Sequence, residues 1–142
     1  MQNICKIYSK IQNMNKTMQK TAPTQSEAKI QQKIVMWYRT TYCLSHHYPR
    51  SIIISIPNES NGVRAMKLIQ TGMYGGCADL LICHVTGITH LYRHQWIFVE
   101  VKTETGVQSP SQKLFEAHCK QSGIRYKLVR SLEEFKEILQ DS

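Results

Sequence analysis

Asp79 and, after twenty intervening residues, Glu100 and Lys102 are the side chains of this sequence best equipped for chemistry on a phosphate ester. Asp79 opens a short apolar run, Asp79-Leu80-Leu81-Ile82-Cys83. The other two close a second, Trp96-Ile97-Phe98-Val99-Glu100-Val101-Lys102. Both runs have the length and composition of buried strands. Alternation along a strand points Glu100 and Lys102 the same way, roughly 7 Å apart at about 3.3 Å per residue. If the two strands are neighbours, Asp79 joins them at one sheet edge. Two carboxylates so placed repel unless a cation lies between them, and two acids with few other ligands suit an octahedral ion such as Mg2+. A lysine beside that ion can hold or help deprotonate a water, which completes the equipment for metal-assisted phosphodiester hydrolysis.

A Glu-x-Lys pair on a strand is also a common exposed salt bridge, so its surroundings decide. Asp79 follows a glycine-dense turn (Gly72, Gly75, Gly76) that lets backbone come close to a ligand. Glu100 and Lys102 end an otherwise apolar run, where unpaired charge is costly.

The elements that must hold these residues follow from periodicity and punctuation. Pro23 breaks the chain, Thr24-x-x-Glu27 reads as a capping box, and a helix is expected over 25–43 with Ile30, Ile34 and Tyr38 on its apolar face. Ser51 to Ile56 is a strand, ended by Pro57-Asn58. Residues 62–70 read as a short helix presenting Arg64 and Lys67. The Asp79 and Trp96 strands come next, then a loop over 103–108. Ser109-Pro110-Ser111-Gln112 starts a helix that runs to Gly123. Ile124 to Val129 is a fourth strand, and Ser131-x-x-Glu134 caps a last helix through Leu139. The order αβββαβα predicts an α/β fold, a small mixed four-stranded sheet with flanking helices.

With 142 residues the chain has room for one domain, expected over 23–142, after a segment 1–22 whose first twenty residues hold four lysines and no acid. In that segment Ile4, Ile7, Tyr8, Ile11, Met14 and Met18 recur at helical spacing, so it reads as a basic amphipathic helix or equally as a tail that helps hold DNA. The net charge of +8 favours a polyanionic partner. It is concentrated in residues 1–60, with eight Lys/Arg against two acids, while residues 61–142 have ten against eight. No apolar run approaches the roughly 20 residues that span a bilayer. Five cysteines, an odd number without a C-x-x-C pair, read as reduced thiols in a cytosolic protein. His90-x-x-x-His94, near Cys83-His84, falls in an expected inter-strand connection and reads as solvated loop histidines rather than a zinc site.

The order of elements and the Asp79…Glu100-x-Lys102 spacing resemble the PD-(D/E)xK, or restriction-endonuclease-like, superfamily. Within it the chain most resembles the virus-type replication–repair nuclease (VRR-NUC) domain. Ile56-Pro57-Asn58-Glu59, Gly72-Met73-Tyr74-Gly75-Gly76-Cys77-Ala78-Asp79, Phe98-Val99-Glu100-Val101-Lys102, Ser109-Pro110-Ser111-Gln112 and Tyr126-Lys127-Leu128-Val129-Arg130-Ser131-Leu132-Glu133-Glu134 support it, in order, over about residues 24–139. Ala78 departs from the family's proline before the first acid. That proline shapes the turn and holds no metal.

The resemblance implies that Asp79, Glu100 and the backbone carbonyl of Val101 hold a divalent ion, Mg2+ with Mn2+ able to substitute. Lys102 would orient the attacking water and stabilise transition-state charge. Glu27 matches a first-helix acid that adds to the metal shell, and Gln112 a glutamine that faces the site. Each also stands third in a capping box, so a capping role is the alternative for both. Arg64, Lys67 and Lys113 are candidate phosphate contacts or a solvated face. The implied activity is structure-specific cleavage of branched, Holliday-junction-like DNA by a homodimer, in the cytoplasm of a phage or bacterial host, without membrane or small-molecule cofactor. The alternatives are a flap-, nick- or end-processing or restriction-like nuclease, and a non-catalytic DNA-binding module on the same fold.

Overall fold

The computed structural model describes residues 25–57, 63–88 and 91–141. In it β-branched and aromatic runs build a sheet of strands β1 (Ile52–Ser55), β2 (Leu80–Ile88), β3 (Leu91–Val101) and β4 (Arg125–Val129), in spatial order β1-β2-β3-β4. Helix α1 (Glu27–Tyr38) runs into a π-helical segment, Arg39–Cys43, before β1. Helix α2 (Val63–Gln70) precedes β2, α3 (Pro110–Gln121) joins β3 to β4, and α4 (Leu132–Gln140) follows β4. The first three strands are antiparallel. β4 lies parallel to β3, as a helical crossover through α3 requires. The α/β class, the mixed four-stranded sheet and its flanking helices are as the sequence predicts.

Period-two alternation divides the sheet between two cores. Leu80, Ile82, Ile97, Val99, Val101 and Val129 face one side, where Ile30, Ile34 and Tyr38 of α1 and Phe135, Ile138 and Leu139 of α4 cover them. Phe98 and Tyr126 face the other, under Phe115 and Cys119 of α3 and beside Cys77 and Ala78. Phe135 is fully buried, so truncating it to Ala would cost about 3–5 kcal/mol in lost burial and cavity. Glu100, flanked by Val99 and Val101, is turned by the same alternation onto the α3 side.

Two elements differ from the expected bounds. The β2–β3 hairpin is longer than its apolar runs, reaching Ile88 and restarting at Leu91. His94, expected in a connection, is therefore on β3 opposite Val85; His90 lies outside the described residues. Backbone pairing continues there past the covered part of the sheet, so Arg93 and His94 need no apolar pattern. The N-cap of α1 is Ser26, whose Oγ accepts from Lys29 N at 3.3 Å, and Glu27 is the first helical residue. Thr24, like segment 1–22 and Asn58-Glu59, lies outside the described residues. Among those described, no helix is long and apolar enough to cross a membrane.

Candidate active site

The end of the sheet where β2 begins gathers the predicted acids. The register that pairs Leu80 with Val99 sets Asp79 across from Glu100. Ile56 N donates to the Asp79 carbonyl at 2.8 Å, so strand-like pairing with the β1 segment holds the Asp79 backbone. β3 outruns β2 here, and the Asp79 carboxylate takes the place of the missing strand: Oδ2 accepts from Val101 N at 2.8 Å. The approach to Asp79 is fixed from the other side by Gly76. Its φ is +80°, and a Cβ there would lie 2.4 Å from the Ser111 carbonyl carbon, so the turn rests directly on the first turn of α3.

Glu100 is fully buried. Its Oε1 accepts from Lys102 Nζ at 2.9 Å and from Gln112 Nε2 at 2.5 Å, and its Oε2 from the Tyr126 hydroxyl at 3.4 Å. Burial pushes its pKa up to about 7; the Lys102 hydrogen bond pulls it down, and the nearby Asp79 charge pushes it up again. Lys102, itself buried, also meets Glu27 Oε2 at 3.6 Å. Burial works against the Lys102 charge, but Glu100, Glu27 and Asp79 outweigh it and hold the ammonium above its ordinary pKa.

Of the residues expected at the site, the structure brings Asp79, Glu100, Val101, Lys102, Gln112 and Glu27 together. Gln112 does two things at once. It completes the capping box of α3, with Oε1 accepting from Ser109 N at 2.8 Å, while its Nε2 donates to Glu100. Glu27 does not cap, because Ser26 does, and its carboxylate is turned to Lys102. Val101 contributes its N–H to Asp79. Lys67 is exposed on α2 and Lys113 exposed on α3 beside Gln112; neither forms an ion pair with the cluster. Arg64 is on α2, with its side chain outside the described residues.

Sequence reasoning missed three supports. Tyr126 stands opposite Phe98 in the parallel register, so its hydroxyl reaches Glu100 from β4. Reading β4 for alternation would have flagged it. Gln108 Nε2 donates to Tyr126 at 3.1 Å and to Glu116 at 2.9 Å. The Arg130 guanidinium donates to the carbonyls of Thr103, Glu104 and Gly106, tying down the loop after Lys102. Nothing local in the sequence marks that last contact.

Asp79, Glu100 and Glu27 offer oxygen donors only, and among the described residues no three His, Cys, Asp or Glu side chains gather closely enough to hold a metal ion by themselves. Such an open set fits an ion that keeps several of its own waters, as Mg2+ and Mn2+ do, and does not fit a tetrahedral zinc centre.

The family model of the VRR-NUC domain matches residues 25–133. A solved structure described as a VRR_NUC domain protein aligns with a TM-score of 0.62, covering 84% of this chain and 89% of that chain. At 18% identity this is a likeness of fold. No curated protein matches the sequence.

Proposed function

From the premise that this chain belongs to the VRR-NUC family, a family of nucleases, we propose that it is a Mg2+-dependent, structure-specific DNA endonuclease. The observation that carries this is the carboxylate of Glu100, wholly buried yet paired with Lys102, at the sheet end that also holds Asp79. Burying a carboxylate costs several kcal/mol unless it is matched, so a site with no use for the charge would be filled by an apolar residue. Asp79, Glu100 and the Val101 carbonyl would hold the ion, with Glu27 adding to its shell. A bound Mg2+ or Mn2+ would supply Lewis acidity toward the phosphodiester and lower the pKa of a water. Lys102 orients the nucleophilic water and balances charge that grows on the phosphoryl oxygens. Gln112 and Tyr126 hold Glu100 in one rotamer, and Lys67, Lys113 and Arg64 steer the phosphate backbone.

The substrate in this reading is branched DNA in a phage or bacterial cytoplasm, cut by a homodimer because paired incisions need two sites. The test is cleavage of a labelled four-way junction beside a linear duplex, in Mg2+, Mn2+ or EDTA, by wild type, Asp79→Ala and Lys102→Ala. Paired metal-dependent cuts in the junction alone, lost in both variants while binding persists, are the expected result. Cutting of flaps, nicks or ends instead would keep the chemistry and replace the substrate. A variant that cuts at the wild-type rate would remove its residue from the site.

A further inference from the structure

The β1 side of the molecule is charged in the opposite sense to the site. From Ala28 to Ala78 the sequence has one acid, Glu59, and from Leu80 to Val99 it has none. The fold lays these stretches side by side, because β1 is an outer strand on β2 and the π-helical segment Arg39–Cys43 packs against β1. An open cleft of about 460 Å³ lies along that edge, lined by Arg39, Cys43, Arg50, Ser51, Ile52 and Ile53. Arg39 and Arg50 are both exposed, and neither forms an ion pair with another described residue. Two guanidinium groups in one concavity, with no carboxylate paired to them among the described residues, suit a ligand with phosphate oxygens.

We propose that the Arg39–Arg50 cleft is a second contact for the DNA backbone, gripping the duplex on the β1 side of the cut. The inference rests on the nuclease reading and adds a position to it. Ile56 is tied to Asp79, and the cleft begins at Ile53, three residues back along the strand. That places its near end about 10 Å from the level of Asp79. For a duplex lying along β1, at about 3.4 Å of rise per base pair, the gripped phosphates start about three base pairs from the scissile bond.

The test uses a fluorescein-labelled four-way junction and a linear duplex, bound in EDTA over a series of salt concentrations. The proteins are wild type, Arg39→Gln/Arg50→Gln and, as a charge control, Lys120→Gln. Each lost phosphate contact lowers the slope of log K against log salt by about 0.9, so the double variant should be shallower by about 2. At about 50 mM salt the same relation gives a loss in affinity of about tenfold per arginine, with Lys120→Gln close to wild type. A slope unchanged in the double variant, or lowered equally by Lys120→Gln, overturns the cleft as a contact. Wild-type cleavage in Mg2+ is measured in parallel. A wild type that neither binds nor cuts DNA would overturn the nuclease reading itself, whereas failure of the cleft shows only in the variants.

Discussion

Glu100 offers the sharpest test, because its environment sets the sign of a pH effect. Its ordinary pKa of 4.5 is pushed up to about 7 by burial and by Asp79, against the pull of Lys102. A carboxyl whose native pKa is raised binds its proton more tightly when folded. Its stabilising effect is therefore full below pH 4.5 and is lost as pH rises through about 7. At about 1.4 kcal/mol per pKa unit, the loss in the metal-free protein is about 3 kcal/mol. For a domain of this size that is roughly 10 °C in Tm. Other carboxylates titrate over the same range, so the measurement is the difference between wild type and Glu100→Gln, a stand-in for the protonated acid. Urea unfolding from pH 5 to 8 should show wild type losing roughly 2–3 kcal/mol relative to the variant. Mg2+ should restore wild type at pH 8, leave it unchanged near pH 5, and leave Glu100→Gln unchanged throughout. A constant difference, or wild type gaining on the variant as pH rises, would mean that Lys102 holds Glu100 ionised and that burial does not dominate.

Three further changes separate the roles of neighbouring residues. Gln112→Met removes the donor to Glu100 and should lower cleavage roughly 5- to 100-fold, on the order of 1–3 kcal/mol of lost hydrogen bonding; Ser109→Ala should cost about 1 kcal/mol of stability and leave the cleavage rate within about twofold. Equal losses of cleavage in both would reduce Gln112 to a cap. Glu27→Gln should change stability by less than about 1 kcal/mol, since the side chain is 44% exposed, yet weaken Mn2+ binding in a direct titration; unaltered affinity removes Glu27 from the metal shell. Gly76→Ala meets both a positive φ and the Ser111 backbone, so a loss of about 2 kcal/mol or more is expected by urea unfolding. A neutral result would show that the turn is not seated on α3.

The sheet was legible because its central strands are buried on both faces. Leu80 to Ile82 and Ile97 to Val101 must read as apolar runs to exist at all, and a charged residue inside such a run stands out. The αβββαβα order followed from those runs and from the serine caps at Ser109 and Ser131. The distal hairpin was not legible, since a two-stranded extension held by backbone bonds leaves its side chains unconstrained. The start of α1 was off by two residues for a related reason: Thr24 and Ser26 are both good caps, and only packing of Ile30 and Ile34 against the sheet chooses between them. At the site, spacing disclosed the acids and the lysine. It could not disclose Tyr126 or Arg130, which reach the cluster across the β3–β4 register from about 25 residues away.

The shift in the start of α1 changes what Glu27 is available to do. As the third residue of a capping box it would have its carboxylate folded back on its own helix. As the first residue of α1 it is half-exposed and points at Lys102. The site then holds three carboxylates, Asp79, Glu100 and Glu27, all acting on one ammonium. With all three ionised, two negative charges remain uncompensated around Glu100, the one of them that is fully buried. Protonation of Glu100, whose pKa burial raises toward neutrality, relieves one of them. A single divalent cation would relieve both. Lys102 alone cannot do so; its close contact with Glu100 offsets one of those charges and holds the buried acid in place.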